Sequence, residues 1–338
     1  MSMRSACRRG HPGGAVHALW AFAVAVMLLL ASCAPGEVGK TTADAEAAER
    51  KEDRTAERAG QTIRLVHPRW SSEIASAHLM QAVLQERLGY RVRLVPVEVE
   101  EMWRRVASGE ADVLTGAWLP ATHRDYYDEY GVDLEDLGPN LTGARIGLVV
   151  PTSTPGRQTG GTGKTGRDLV TIRSIEELRG AVDRFDGRIA GIESGAGVMA
   201  RTRDALEAYD LARLYHLVDT DEERMLDRVA KAIYSGEWIV FTGWKPHWVF
   251  EHHSLRFLDD PKGVYGGEES IHTMVRRGFE EEMPDAYTVL KRVSYEPEDL
   301  ERLMRWIHED EEGDPYRQAV RWIEARENTV DEWVEGVE

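Results

Sequence analysis

Gly116-Ala117-Trp118-Leu119-Pro120-Ala121-Thr122-His123 follows the apolar run Val113-Leu114 and precedes the aromatic pair Tyr126-Tyr127. The stretch reads as the end of a strand turning into a helix: the apolar run stops on a large aromatic, Pro120 fixes φ near the first helical turn, and a His follows. This brings an indole and an imidazole together at the carboxyl edge of a sheet, where open α/β sheets bind their ligands. Taken alone, the octapeptide equally fits Trp118 plugging a core with His123 on a helix surface, and the flanking sequence has to choose.

Upstream, Ile63 to Pro68 is a short apolar run ending at Pro68-Arg69-Trp70. Ser71 or Ser72 is placed to cap a helix carrying Ile74, Ala77, Leu79, Met80, Val83, Leu84 and Leu88 at helical spacing and ended by Gly89. Arg91 to Val97 alternates as a strand, Glu100 to Ser108 gives a helix with Met102, Trp103 and Val106, and Gly109-Glu110-Ala111-Asp112 leads into the strand that ends at Trp118. Strand, helix, strand, helix, strand is a parallel-sheet pattern. Trp70 and Trp118 therefore share one sheet edge, while Trp103 is expected in the core.

Downstream, Ala144 to Pro151 is an apolar strand suited to crossing between two lobes. Thr152 to Asp168 is rich in Gly, Thr and Ser; its Gly160-Gly161-Thr162-Gly163-Lys164-Thr165 lacks the glycine spacing and the following helix of a phosphate-binding loop, and it reads as a surface insertion. Ser174-Ile175-Glu176-Glu177 is a capping box, and Arg188 to Ile192 is the next strand. Glu193-Ser194-Gly195-Ala196-Gly197-Val198-Met199 joins that strand to a helix, and a Gly-rich turn there exposes backbone N–H groups that can hold an anion. The helix around Asp221 to Tyr234 leads to a strand ending on Gly243-Trp244, the third indole at a strand end. Trp238 and Trp248 read as packing residues, and His247, His252 and His253 as solvated or packing histidines, since no metal-ligand spacing surrounds them. Ile271 to Val275 reads as a second crossing strand, followed by helices over 280–293, 297–308, 315–326 and 330–337.

The 338-residue chain is long enough for two lobes with separate cores. Its first 20 residues carry Arg4, Arg8 and Arg9 and no acid, and lead into the apolar run Ala21 to Ala31, too short for a comfortable permanent span; residues 1–32 are expected to be a signal peptide. Leu30-Ala31-Ser32-Cys33 matches a lipobox, with Cys33 as the lipidated residue. Cleavage removes Cys7 and lipidation consumes Cys33, which excludes disulfides and thiol catalysis. Residues 33–60 hold almost no large apolar side chain and are expected to be a disordered tether with nothing to pack on a core. The net charge of −17, from 59 acidic and 42 basic residues, argues against nucleic acid.

Three indoles at strand ends suit a cage for a large, weakly hydrated cation, each ring face contributing ~0.5 to 2 kcal/mol. The Gly197 and Val198 N–H groups with His123 suit a carboxylate. From Ile63 to Trp333 the chain resembles the glycine betaine and choline family of substrate-binding proteins that feed ATP-driven importers. The resemblance rests on Trp70-Ser71-Ser72-Glu73-Ile74-Ala75-Ser76, on the octapeptide, on Gly191 to Met199, on Val240 to Trp248 and on Ile271-His272-Thr273. It implies that Trp70, Trp118 and Trp244 cage an ammonium while the Gly197-Val198 backbone and His123 hold a carboxylate. Family members often carry Asp where Ser71 stands, and His67-Pro68-Arg69 is a more basic lead-in that adds positive potential near the cage, favouring a carboxylated ligand over choline.

The expected fold is an α/β two-lobe periplasmic-binding-protein clamp, each lobe a mainly parallel sheet flanked by helices, with two crossing strands as hinge. Residues 61–145 and 271–338 would form lobe 1, and residues 146–270 lobe 2. The expected function is a monomeric, exported, membrane-tethered receptor with no catalysis, metal or cofactor, delivering glycine betaine or a related zwitterion to the transmembrane subunits of an ABC permease. Choline or carnitine as main ligand, or use of the same clamp as a sensing domain, are the alternatives. No Ser-His-acid set stands at the inferred cleft to support an enzyme.

Overall fold

A computed structural model describes residues 53–154 and 168–337. The expected signal peptide, Cys33, the tether up to residue 52 and residues 155–167 of the Gly-rich stretch lie outside the described residues.

The first part of the fold follows the alternation read from sequence: β1 (Thr62–His67), α1 (Ser71–Ala82, continued by a wider turn over Val83–Arg87), β2 (Arg91–Pro96), α2 (Val99–Ala107), β3 (Val113–Leu119) and α3 (Arg124–Tyr130). β2, β1 and β3 are parallel neighbours in that order. Every residue of β3 is buried, as a strand covered on both faces requires. β4 (Leu134–Pro151) follows, then β5 (Arg188–Ala190), α4 (Gly197–Ala208), β6 (His216–Val218), α5 (Glu222–Ser235), β7 (Phe241–Lys245), α6 (Val249–His252), β8 (Leu255–Phe257) and β9 (Glu269–Arg276). The chain closes with α7 (Phe279–Glu282), α8 (Pro284–Arg292), α9 (Pro297–His308), α10 (Pro315–Ala325) and α11 (Glu327–Val334). Pro at the first turn of α9 and α10 explains why these starts were legible, whereas the single helix expected over 280–293 is divided at Met283 into α7 and α8, the second opening on Pro284.

The architecture is α/β, a curled mixed sheet flanked by helices, and β4 joins its two parts. Its first residues pair antiparallel with β9, which lies beside β3; its last residues pair antiparallel with β7 and β8, and β7 continues through β5 to β6 in parallel. β4 starts ten residues before the strand expected from Ala144, through Pro139, where the register with β9 slips. A proline has no N–H to give a ladder, so it sits at such an irregularity. The ends of β1, β3 and β9 away from the cleft are tied by buried Asp112, which accepts from Arg64 (2.8 Å) and Arg276 (2.7 Å). Burial pushes its carboxyl up, but the two guanidiniums prevail and hold it below the ordinary range.

Three local expectations change. Residues 53–60 are helical and do pack: the buried Arg58 donates to Asp285 (3.0 Å) and Leu88 O (3.3 Å), because a long side chain reached a carboxylate that apolar counting overlooks. The N-cap of α1 is Trp70, with no side-chain cap; Ser71 Oγ bonds elsewhere and Ser72 Oγ is buried without a partner among the described residues. Pro120 does not open a helix directly, since α3 begins only at Arg124. Trp103 is fully buried, as expected. No helix among the described residues is long and apolar enough to cross a membrane.

Candidate ligand-binding site

Trp70 follows β1, Trp118 lies near the end of β3, and Trp244 lies near the end of β7. The parallel order of β1 and β3 brings the first two to one edge, and β4 brings the third across to meet them. Together with Thr122, Ile146, Ile192 and Val198 they line a cavity with about 260 Å³ of free space, counting the part open to solvent. The Trp70 and Trp244 rings are 6.2 Å apart and tilted by 48°, so neither covers the other's face. Ile146 pairs directly with Trp244 across the β4–β7 ladder, which puts both side chains on the same face. Ile146, Ile192 and Thr122 escaped sequence reasoning, because nothing in an apolar strand marks which residue faces a cavity.

Val198 belongs to the lining, and Gly197 packs beside it on the turn that carries His123. A Cβ on Gly197 would come within 2.5 Å of both Thr122 Cγ2 and Thr122 O and 3.1 Å of His123 Cδ2, so only glycine permits this approach. Gly197 and Val198 open α4, and their N–H groups have no acceptor one turn earlier in the helix. Beside them, His123 is completely buried, with its ring 6.3 Å from that of Trp70. Its Nδ1 accepts from the Trp118 backbone N–H (3.2 Å), which assigns the proton to Nε2. That Nε2 is buried with no partner among the described residues. Burial pushes the imidazole down to about 3, so it is neutral and offers a hydrogen-bond donor rather than a charge.

Carboxyl groups stand behind two of the indoles. Trp118 Nε1 donates to Glu73 (3.0 Å), and Trp70 Nε1 donates to Glu193; Trp244 Nε1 is buried without a partner among the described residues. Burial pushes Glu73 up to about 7 and also raises Glu193. Neither residue was singled out, since Glu73 read as part of a helix start and Glu193 as part of a turn. Glu222 was also missed: it accepts from the Ser71 N–H (2.8 Å), the Ser71 hydroxyl (2.5 Å) and His247 Nε2 (3.1 Å). His247 is thus no solvated or merely packing histidine, because its Nδ1 accepts from Val249 N–H and leaves Nε2 to donate. His67 adds no positive potential, contrary to expectation: it is buried, hydrogen-bonded to Pro68 O (2.8 Å) and pushed down to about 4 by desolvation. Cys33 lies outside the described residues.

The chain and its fold have counterparts among known proteins. The glycine betaine/carnitine transport binding protein GbuC of Listeria monocytogenes is 40% identical over 169 residues, covering 50% of this chain and 56% of that protein, so the chain spans about half the length of this relative. A lactococcal OpuAC crystal structure, closed and complexed with glycine betaine, is 35% identical with TM-score 0.73, covering 81% of this chain and 100% of that one. The crystal structure of ProX from Borrelia burgdorferi, a glycine betaine/L-proline-binding protein, is 33% identical with TM-score 0.74, covering 82% and 97%. Residues 61–325 match the OpuAC family model, the substrate binding domain of ABC-type glycine betaine transport systems, and the chain belongs to this family of receptors, which are not enzymes.

Proposed function

We propose that the tryptophan-lined cavity binds glycine betaine or a closely related trimethylammonium zwitterion, and that the protein hands it to an ABC importer. The cation sits against Trp70, Trp118 and Trp244. The carboxylate is held by the Gly197 and Val198 N–H groups and by His123 Nε2–H. The observation that supports this reading is a cavity lined by three indoles and Val198, with a buried, unpartnered imidazole N–H on the neighbouring residue of the lining Thr122, packed against the start of α4. A quaternary ammonium has no hydrogen to donate and little hydration to lose, so ring faces suffice for it, whereas a carboxylate needs donors. Three faces and a charge-assisted clamp are adequate for the roughly 8 kcal/mol of micromolar binding. The two lobes, 61–145 with 271–338 and 146–270, would close on the ligand about the crossing strands. Cys33 would tether the receptor to the membrane as a monomer.

Calorimetric titration of the domain from residue 53 onward with glycine betaine, proline betaine, carnitine and choline tests the reading. Tight binding of at least one betaine, with choline weaker because it leaves the donors unused, is expected. No binding of any of the four would reject it.

A further inference from the structure

Glu73 is a buried carboxyl that the cage and the anion subsite leave without a task. It stands in the first turn of α1 and accepts the Trp118 indole N–H through Oε1, while Oε2 is buried with no partner among the described residues. The carboxyl lies flat against β3: a Cβ on Gly116 would come within 2.1 Å of Oε2. It is shut off from water, and its only hydrogen bond among the described residues leads through an indole to the cavity. A carboxyl confined in this way is costly as an anion, and below about pH 7 it stays protonated until a positive charge appears nearby.

We propose that Glu73 acts through Trp118 as a charge-selecting residue, giving up its proton when a quaternary ammonium enters the cage, so that ligand binding releases one proton to solvent. The inference rests on the cage reading above. On entry, no bond other than the carboxyl O–H breaks, and the proton passes to buffer. The resulting carboxylate is stabilised by the cation across the ring, by the indole N–H and by the positive end of α1. Because it lies behind the indole, it cannot form a direct salt bridge with a primary ammonium in the cage.

The surrounding elements supply no competing charge. β3 meets the carboxyl with Trp118 and Gly116, and among the described residues no charged group on α1, β1, β2, α9 or α10 shifts it; burial and the indole account for its position near 7. Tyr295, ahead of α9, feels its charge and is held neutral by burial, bonded to Ser76 Oγ at 2.8 Å. His67 and His123 are buried and neutral, and Glu193 faces the other indole. Linkage then fixes the sign. Below about pH 7 the ligand-free carboxyl is protonated and the bound one is not, so affinity rises with pH, by no more than about tenfold per unit; above that range it levels off.

The test is titration with glycine betaine from pH 5.5 to 8.5, and at pH 6.5 in phosphate and in Tris, whose ionisation heats differ. The wild-type chain, E73Q and E193Q are compared, with 3,3-dimethylbutyrate as an uncharged-headgroup isostere. Expected are a roughly tenfold gain in affinity across the range and a buffer-dependent heat reporting proton release. Both should be abolished in E73Q, retained in E193Q and absent with the isostere. Buffer-independent heat and a flat profile in the wild type overturn the proposal, as does a profile that survives in E73Q but vanishes in E193Q. Should E73Q fail to fold, the wild-type buffer comparison and the isostere still decide. Absence of betaine binding at every pH rejects the cage reading itself, which is distinguishable from binding without proton release.

Discussion

Trp244 stands apart from the other two indoles. Its N–H has no partner among the described residues, its ring meets His247 edge-on at 4.8 Å, and it is the cavity-lining indole contributed by β7. Its contribution is therefore almost entirely a ring face and packing. Trp244→Ala removes that face from the cation and should weaken betaine binding at least tenfold, with Trp244→Phe falling between it and the wild type, as read by titration calorimetry. An unchanged affinity in the alanine variant would remove Trp244 from the site. Its place at a strand end was legible because a Gly-Trp pair ending a buried strand is conspicuous in one dimension. Glu73 and Glu193 were not, since their partners stand 45 and 123 residues away and a Glu near a helix start looks like ordinary first-turn chemistry. The imidazole of His123 could be placed from sequence but not its neutrality, which depends on complete burial and on which ring nitrogen the Trp118 N–H occupies.

Among elements, the turn from β3 to α3 carries the cavity-lining Thr122 and the buried His123, and a distant strand holds it. Glu269, the first residue of β9, is buried and accepts the N–H groups of Ala121 and Thr122, each at 2.7 Å, as well as the Thr122 hydroxyl. Thr122 lines the cavity and packs against Gly197, so this carboxylate sets the position of the cavity wall beside the start of α4. Glu269→Ala leaves two N–H groups and a hydroxyl unpaired in the interior, each costing about 1 to 3 kcal/mol. It should lower thermal stability and weaken ligand binding together. Glu269→Gln keeps an acceptor for both N–H groups and should lose less of each. Equal behaviour of the two variants in thermal melts and titrations would show that the turn holds without this residue. Helix and strand periods, the Ser174 capping box and the proline starts of α9 and α10 could be read locally, because each signal lies within one turn of chain. The extent of β4 could not, since its first half is strand only by virtue of β9, more than a hundred residues later.

At the scale of the whole molecule, the question is what holds the two parts of the sheet together around a ligand. Beyond β4, contacts cross between them at Trp70 with Glu193, Tyr126 with Gly195 O (3.0 Å), Arg201 with Asp125 (3.4 Å) and Ser71 with Glu222. The last is the best placed to act as a latch. Glu222 is buried and also held by His247, and Ser71 gives it both its N–H and its hydroxyl. Because Trp70 rather than Ser71 is the N-cap of α1, Ser71→Ala removes the hydroxyl bond without disturbing the helix start. A hydrogen bond to a charged group is worth roughly 1.5 to 3 kcal/mol, and here it would act only when the parts meet. If the receptor closes on its ligand, the variant shifts the closing equilibrium and raises the apparent dissociation constant of every ligand by the same factor, about tenfold or more. Most of the change should appear in the dissociation rate, as measured by stopped-flow tryptophan fluorescence with two different betaines. A loss confined to one ligand would mean that Ser71 contributes to recognition and not to closure. No loss at all would mean that the remaining contacts hold the parts together without it.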